Sequence, residues 1–362
     1  MALLFAEGFS DYASTAELYR ARNCISNFTP ATLNTTAGNW SNGALIGPSL
    51  SSGSWFALDR NPSNTTLRFA FWLKTSSITG TYSNTVHRPI VEFRDNLLAP
   101  TRYLNCRLNG VAPNAFLVVC RFDDASNAAA AATGTAALGN GNWHHIEVEY
   151  VAHGTTGTVK TWVDGVADIN FTGDTSDAAS GDVTALRGMF LAGCSSNTGG
   201  VTVHMDDFLV WDDASGFSGR LSDQHRIRSV VPTANGDTNN FSPSAGSNYQ
   251  NVDDTTSDDD TTYNSSTASG DIDLYQVAMN FNPQVIYAVQ AEVVTRKTDL
   301  RAITARTKLK KGSSTQNGTT TDIYNGMDTP SRILQDKDPT DSTTWTRSKI
   351  HNQVQVGVER MS

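Results

Sequence analysis

The chain has 362 residues, a formal charge of −9 and a pI near 5.2, with 38% apolar and only 17% charged residues. That length exceeds one ordinary domain and suits two. The acidic balance is relieved only by a cluster from Arg296 to Lys311 and argues against a phosphate-binding role, so no nucleic-acid partner is expected.

Thr, Ser, Asn and Gly fill the apolar deficit. They offer the backbone competing hydrogen bonds and turn conformations, which favours short strands over helices. At the start, Met1 to Phe9 holds a short apolar run, but no Lys or Arg precedes it and Glu7 interrupts it. It does not read as a signal peptide, and no stretch approaches a membrane span, so no membrane insertion is expected. Folding in a reducing cytoplasm is the expectation. Cys24, Cys106, Cys120 and Cys194 lack any C-x-x-C spacing, which argues against zinc and for buried free thiols. Cys106 and Cys120 lie in neighbouring apolar segments that could face each other.

From Met1 to Trp211 short apolar runs alternate with turn clusters. Leu67 to Leu73, Pro89 to Phe93 and Ala115 to Phe122 read as strands, the last one buried. The alanine run Ala128 to Ala132 is too short for a helix and reads as a surface loop. In Trp143 to Val151, Ile146, Val148 and Tyr150 share one parity and Glu147 and Glu149 the other, the period of a half-exposed strand. Thr158 to Val163 follows, turned by Asp164-Gly165, and Met189 to Ala192 and Val201 to Trp211 complete the lobe.

Leu221 to Val231 reads as a short helix or an extended connector, stopped by Pro232. Pro232 to Gly270 is a long polar excursion carrying the run Asp258-Asp-Asp260, and it is expected to become ordered against a neighbouring subunit. Apolar alternation returns in Asp271 to Met279, Gln284 to Val294 and Leu300 to Leu309; Gly312 to Thr321 is a polar tip. Trp345, Ile350, Val354, Val356 and Val358 close the chain. Three to five strands bury little alone and need further strands or another chain. The pattern predicts an all-β protein: an antiparallel β-sandwich (jelly roll) over 1–215, a polar connector over 216–270 and a smaller C-terminal β module over 271–362.

Several signatures resemble a known superfamily. Leu4-Phe-Ala-Glu-Gly-Phe-Ser-Asp-Tyr12 is similar to the first strand of phage-encoded concanavalin A-like or laminin G-like proteins. Trp143-His-His-Ile-Glu-Val-Glu-Tyr150 with Val159-Lys-Thr-Trp-Val-Asp-Gly165 resembles its paired strands, and Val203-His-Met-Asp-Asp-Phe-Leu-Val-Trp-Asp212 its closing strand. Asp273-Leu-Tyr-Gln276, Ile286-Tyr-Ala-Val-Gln290 and the ending from Trp345 to Val358 are similar to structural proteins of tailed phages. The resemblance implies a virion component, on tail, baseplate or fibre, assembled with other virion proteins. It also implies a homo-oligomer whose lectin-like lobe is able to hold a host surface glycan. The alternatives are a capsid decoration protein, a polysaccharide depolymerase and a free lectin.

The fold hosts binding, hydrolysis and scaffolding alike, so chemistry has to be sought in residues. Glu147 and Glu149 share a strand face and are the one candidate acid pair for a glycosidase; their place on a wet face is the plainer account. Asp206 and Asp207 suggest calcium, but adjacent strand residues point apart, so a bond from one of them to a neighbouring loop is expected instead. Of His144 and His145, one is expected exposed and the other packed beside Trp143. No Gly-x-Ser-x-Gly elbow or phosphate loop is present. No metal or cofactor is expected, and no catalytic residue: the chain reads as a non-enzyme. Trp162 and Trp211 sit in strands and read as core; Trp40 and Trp55, in Gly/Ser-rich surroundings, are the candidate glycan contacts.

Overall fold

The computed structural model describes residues 3–8, 32–34, 38–39, 44–46, 54–58, 66–75, 81–82, 89–94, 102–111, 114–121, 130–175, 187–192, 203–212, 219–221, 225–255, 258, 261–283, 285–326 and 329–362. The chain divides into two compact units, the first formed by 1–10 and 24–227 and the second by 11–23 and 228–362. The segment expected as a connector, 216–270, is therefore shared out: it belongs to the first unit up to Ile227 and to the second from Arg228.

The described residues of the first unit form fifteen strands: β1 (Leu3–Glu7), β2 (Thr32–Asn34), β3 (Ala44–Ile46), β4 (Ser54–Leu58), β5 (Thr66–Thr75), β6 (Thr81–Tyr82), β7 (Pro89–Arg94), β8 (Arg102–Val111), β9 (Asn114–Arg121), β10 (Ala130–Thr133), β11 (Trp143–Val151), β12 (Gly157–Val163), β13 (Val166–Gly173), β14 (Arg187–Ala192) and β15 (Val203–Asp212). They make two antiparallel sheets. One runs β13-β12-β11-β5-β15-β3-β2 with β1 on β15; the other runs β10-β9-β8-β7-β14-β4 with β6 on β8. This is the antiparallel β-sandwich that the strand-and-turn pattern foretold. The alanine run is a correction. Ala130–Thr133 is an edge strand bonded to β9, because methyl side chains let a short strand lie flat where no helix has room to nucleate.

The central strands of the larger sheet, β5, β11 and β15, are buried on both faces. Phe69, Phe71 and Leu73 of β5, Ile146, Val148 and Tyr150 of β11, and Val159 and Val163 of β12 form the sandwich core with Phe208 and Val210. Phe208 bridges Phe69 and Phe71 at ring separations of 6.2 and 6.0 Å. The other face carries Arg68, Ala70 and Trp72 in register with Glu149, Glu147 and His145. Arg68, Trp72, His145 and Glu147 are buried there too. Glu147 is thus not on a wet face as expected, since a strand in mid-sheet with both faces covered loses the simple wet–dry alternation.

The second unit continues with β16 (Pro232–Asn239), β17 (Ser242–Pro243), β18 (Asn264–Ser265), β19 (Ile272–Val277), β20 (Val289–Thr295), β21 (Ile303–Lys311), β22 (Ser314–Asn317), β23 (Thr321–Ile323), β24 (Thr329–Gln335) and β25 (Val354–Arg360). Its main sheet runs β16-β19-β25-β21-β22 with β23 on β21, while β20 and β24 form a ribbon. Trp345, Leu309, Val354, Ile333 and Met279 centre the core, and the Trp345 indole N–H donates to the Gln335 carbonyl at 3.0 Å. Gly357 is required where β25 crosses β19: a Cβ there would lie 1.9 Å from the Asp273 carbonyl oxygen.

Described residues of the polar excursion 232–270 are anchored on their own unit. Asp273, fully buried, accepts from Asn239 and Asn248 side chains at 3.1 and 2.9 Å and from the Tyr275 hydroxyl at 2.7 Å. Asn264 donates to the same hydroxyl at 2.9 Å. The asparagines that looked like loop filler are the anchors that hold these turns on their own sheet, and they satisfy a carboxylate that would otherwise be costly to bury.

Candidate functional site

Among the described residues, ionisable side chains converge on the outer face of the larger sheet of the first unit. The underlying device is a β-bulge. Register between β15 and β5 shifts between Asp206 and Leu209, and Asp207 takes a left-handed φ of 48°, which Asp tolerates better than most residues. The bulge turns three acceptors toward passing chain. Asp206 accepts from the Asn39 amide at 2.9 Å, and the Asp207 carboxylate from the Ile227 amide at 3.0 Å. The Asp207 carbonyl accepts from the His225 ring. Both aspartates thereby bond neighbouring backbone, where only one of them was expected to.

The strap so held, seen at Gly219–Leu221 and His225–Ile227, lies over β11 and β5. Leu221 and His225 are buried. Glu147 receives Arg220 at 2.9 Å and the Leu221 amide at 3.1 Å. Arg220 also sits 4.6 Å over the Trp162 ring. The Trp72 indole donates to the His225 carbonyl at 2.9 Å, and Trp211 to the Gly219 carbonyl at 3.3 Å. Glu149, one register step out, is paired with Arg68 at 2.8 Å and Lys160 at 3.1 Å.

The two imidazoles have fixed tautomers. A carbonyl oxygen only accepts, so His225 donates its Nε2–H to Asp207. Neutral His225 then presents a bare Nδ1, which accepts from His145 Nε2 at 2.8 Å. His145 is left with a bare Nδ1, 4.0 Å from Glu147. Burial, then the neighbouring His225 and Arg220, push His145 down to about 3. Burial pushes His225 down to about 4, partly opposed by the bond to Asp207. Burial raises Glu147 despite its bonds to Arg220 and Leu221. Perturbed, mutually coupled groups of this kind mark candidate functional sites.

The sequence candidates fall as follows. Glu147 and Glu149 share the face but are each committed to cations. His145 packs on Trp72, with ring centroids 5.3 Å apart, rather than beside Trp143. His144 points elsewhere and bonds Asp164 at 2.7 Å and Asn140 at 3.1 Å. Trp211 is buried, as expected; Trp162 is half-buried under Arg220 instead of lying in the core. Cys106 is buried. Trp40 lies outside the described residues. Trp55 is placed on β4 opposite Leu191, but its side chain is also outside them. Arg220 and His225 were missed. Their partners lie 73 and 80 residues away, and no local period announces them.

The described strands define an antiparallel β-sandwich in the first unit and a smaller β unit in the second. No protein-family model matches the chain, and no curated protein matches it. Solved structures similar to it include the alginate lyase Aly36B, in complex with an alginate tetrasaccharide, at 9% identity over 62% of this chain and 98% of that one, with a TM-score of 0.39. The carbohydrate esterase of the Shiga toxin-encoding bacteriophage phi24B is 12% identical over 58% and 97%, with a TM-score of 0.36. A legume lectin-like domain from Entamoeba histolytica is 9% identical over 59% and 98%, with a TM-score of 0.36.

The expectation of a non-enzyme is corrected at its premise. It rested on an absence of converging reactive side chains, whereas His145, Glu147, Arg220 and His225 do converge.

Proposed function

We propose that the chain is a carbohydrate-engaging subunit of a tailed-phage particle, placed on tail, baseplate or fibre. In this reading the lectin-like unit faces a host-surface polysaccharide and the second unit serves assembly with other virion proteins. The observation that carries the reading is the exposure of large apolar side chains in the second unit: Val252, Tyr263, Val285, Val294, Leu300 and Tyr324. Exposed apolar side chains that share a surface suit it for contact with a partner. The resemblance of residues 4–12, 143–165 and 203–212 to phage-encoded sandwiches supports the virion setting.

A second reading, a polysaccharide depolymerase, is favoured by the convergence of His145, Glu147 and His225. One experiment separates the two. The purified chain is incubated with capsular and cell-wall polysaccharide of its host, and binding, new reducing ends and unsaturated sugar products are followed together. Saturable binding without new ends is the outcome for adhesion. Product formation abolished by Glu147→Gln is the outcome for catalysis at this cluster. Neither binding nor products on any host polysaccharide refutes carbohydrate engagement.

A further inference from the structure

The exposed apolar side chains of the second unit form two groups of opposite charge. The first surrounds the turn before β21. Leu300 is 89% exposed, and the backbone of Lys297 is bridged to Asn325 and accepts from the Gly326 amide at 3.0 Å, which brings Tyr324 and its 56% exposure alongside. Arg296 and Arg301 are exposed on the same turn, with Lys297 between them; Asp299 pairs with Arg301 there and leaves the turn net positive. The second group brackets the loop after the 3₁₀ turn Asn248–Asn251: Val252 at 36% and Tyr263 at 53% exposure enclose Asp253, Asp254 and Asp258. Burial, then Asp258 and Asp253, raise the Asp254 carboxyl, as expected where like charges are held close together.

The topology places the two groups at one end of the sheet and on opposite flanks. Arg360 of β25 bonds the Asp271 and Ser266 carbonyls on one side, while the Met361 amide bonds Thr304 of β21 on the other. The acidic loop lies toward β16, since the Tyr249 amide bonds Asn235. The basic turn lies toward β23, through the Lys297–Asn325 bridge. Four strand steps from β16 to β23 separate the flanks by about 19 Å. Complementary patches on opposite flanks of one body are the geometry of heterologous contact, which closes into rings or extends into filaments.

We propose that the Leu300–Tyr324 corner of one molecule docks on the Val252–Tyr263 loop of a second copy of this chain, head to tail. Apolar contact supplies the centre and the Arg/Lys–Asp pairs fix the partner's flank. The proposal deepens the assembly part of the reading above and is independent of its carbohydrate part, which the polysaccharide experiment tests separately.

The test is sedimentation velocity on the full chain at about 50 mM and about 500 mM salt, between which screening shortens severalfold. Concentration-dependent association at low salt, reduced at high salt, is expected. Leu300→Ser, at a position with no burial to lose, should weaken it about tenfold or more. Lys297→Glu with Arg301→Glu should abolish it, as should Asp253→Lys with Asp254→Lys. Mixing these two variants should restore a complex, because each keeps the patch that complements the other. A wild-type chain that stays monomeric at low salt overturns the proposal, and so does association indifferent to Leu300→Ser. A mixture of folded reversal variants that fails to combine overturns it equally.

Discussion

Acid should loosen the first unit through its two buried imidazoles before its carboxylates protonate. The perturbation is a fall from pH 7 to pH 5. His145 and His225 sit at about 3 and about 4 in the fold, against an ordinary value near 6.5. At pH 5 the unfolded chain has bound a proton at each ring and the folded chain at neither, so stability present above 6.5 is lost as the pH falls toward 4. Each ring costs about 1.36 kcal/mol per pH unit below 6.5, hence about 2 kcal/mol at pH 5, and the pair about 4 kcal/mol. Glu147 has the opposite sign: its raised carboxyl takes up a proton earlier in the fold than in the open chain, which offsets part of the loss at the acid end. Urea unfolding followed by tryptophan fluorescence is the assay, since six of the seven tryptophans lie in the first unit and only Trp345 lies in the second. His145→Gln and His225→Gln should each halve the pH dependence between 7 and 5, whatever they do to stability at pH 7. Equal pH slopes in wild type and variants, or a His145 or His225 ring that titrates above pH 6 in the folded chain by NMR, would refute the reasoning.

Three substitutions test the packing account. Glu147→Gln removes the acceptor charge facing Arg220 and the Leu221 amide, and should cost about 2 kcal/mol by urea unfolding; no loss would mean the strap is not held by this pair. Gly357→Ala places a methyl on the Asp273 carbonyl and should destabilise the second unit by at least about 3 kcal/mol, or prevent soluble expression. Trp345→Phe strands the Gln335 carbonyl and leaves a void, for about 2 to 3 kcal/mol by calorimetry, while the first unit's transition stays in place.

What the sequence showed and what it hid divide along the range of the interactions. Strands such as Trp143–Val151, and Leu67 to Leu73 within the observed Thr66–Thr75, were legible because alternation and β-branched or aromatic content are local. The burial of Glu147 was not, because it depends on a strap some 73 residues downstream whose residues Gly219–Leu221 and His225–Ile227 carry no period of their own. The alanine edge strand was misread for a related reason: alanine's helix preference says nothing about a ladder offered by β9. The asparagines of 239–264 looked like loop composition until Asp273, on another strand, gave them an acceptor. Trp162 read as core because it lies in a strand, yet its register opposite Glu147 puts it on the face under the strap.

The buried charges under the strap are better explained by register than by stability. An apolar closure over Ala70, Trp72 and Leu209 would tolerate sliding, since hydrophobic contact has no direction. Ion pairs contribute little net free energy once their desolvation is counted. Here, however, each polar partner has one address. Glu147 takes Arg220 and the next amide, Leu221; His145 takes His225; the Asp207 bulge takes His225 and Ile227. A shift of one residue along the strap would strand at least three buried polar groups at once, at about 1 to 3 kcal/mol each. That penalty fixes Ile227 as the point at which the chain leaves the first unit, with Arg228 the next residue and already in the second.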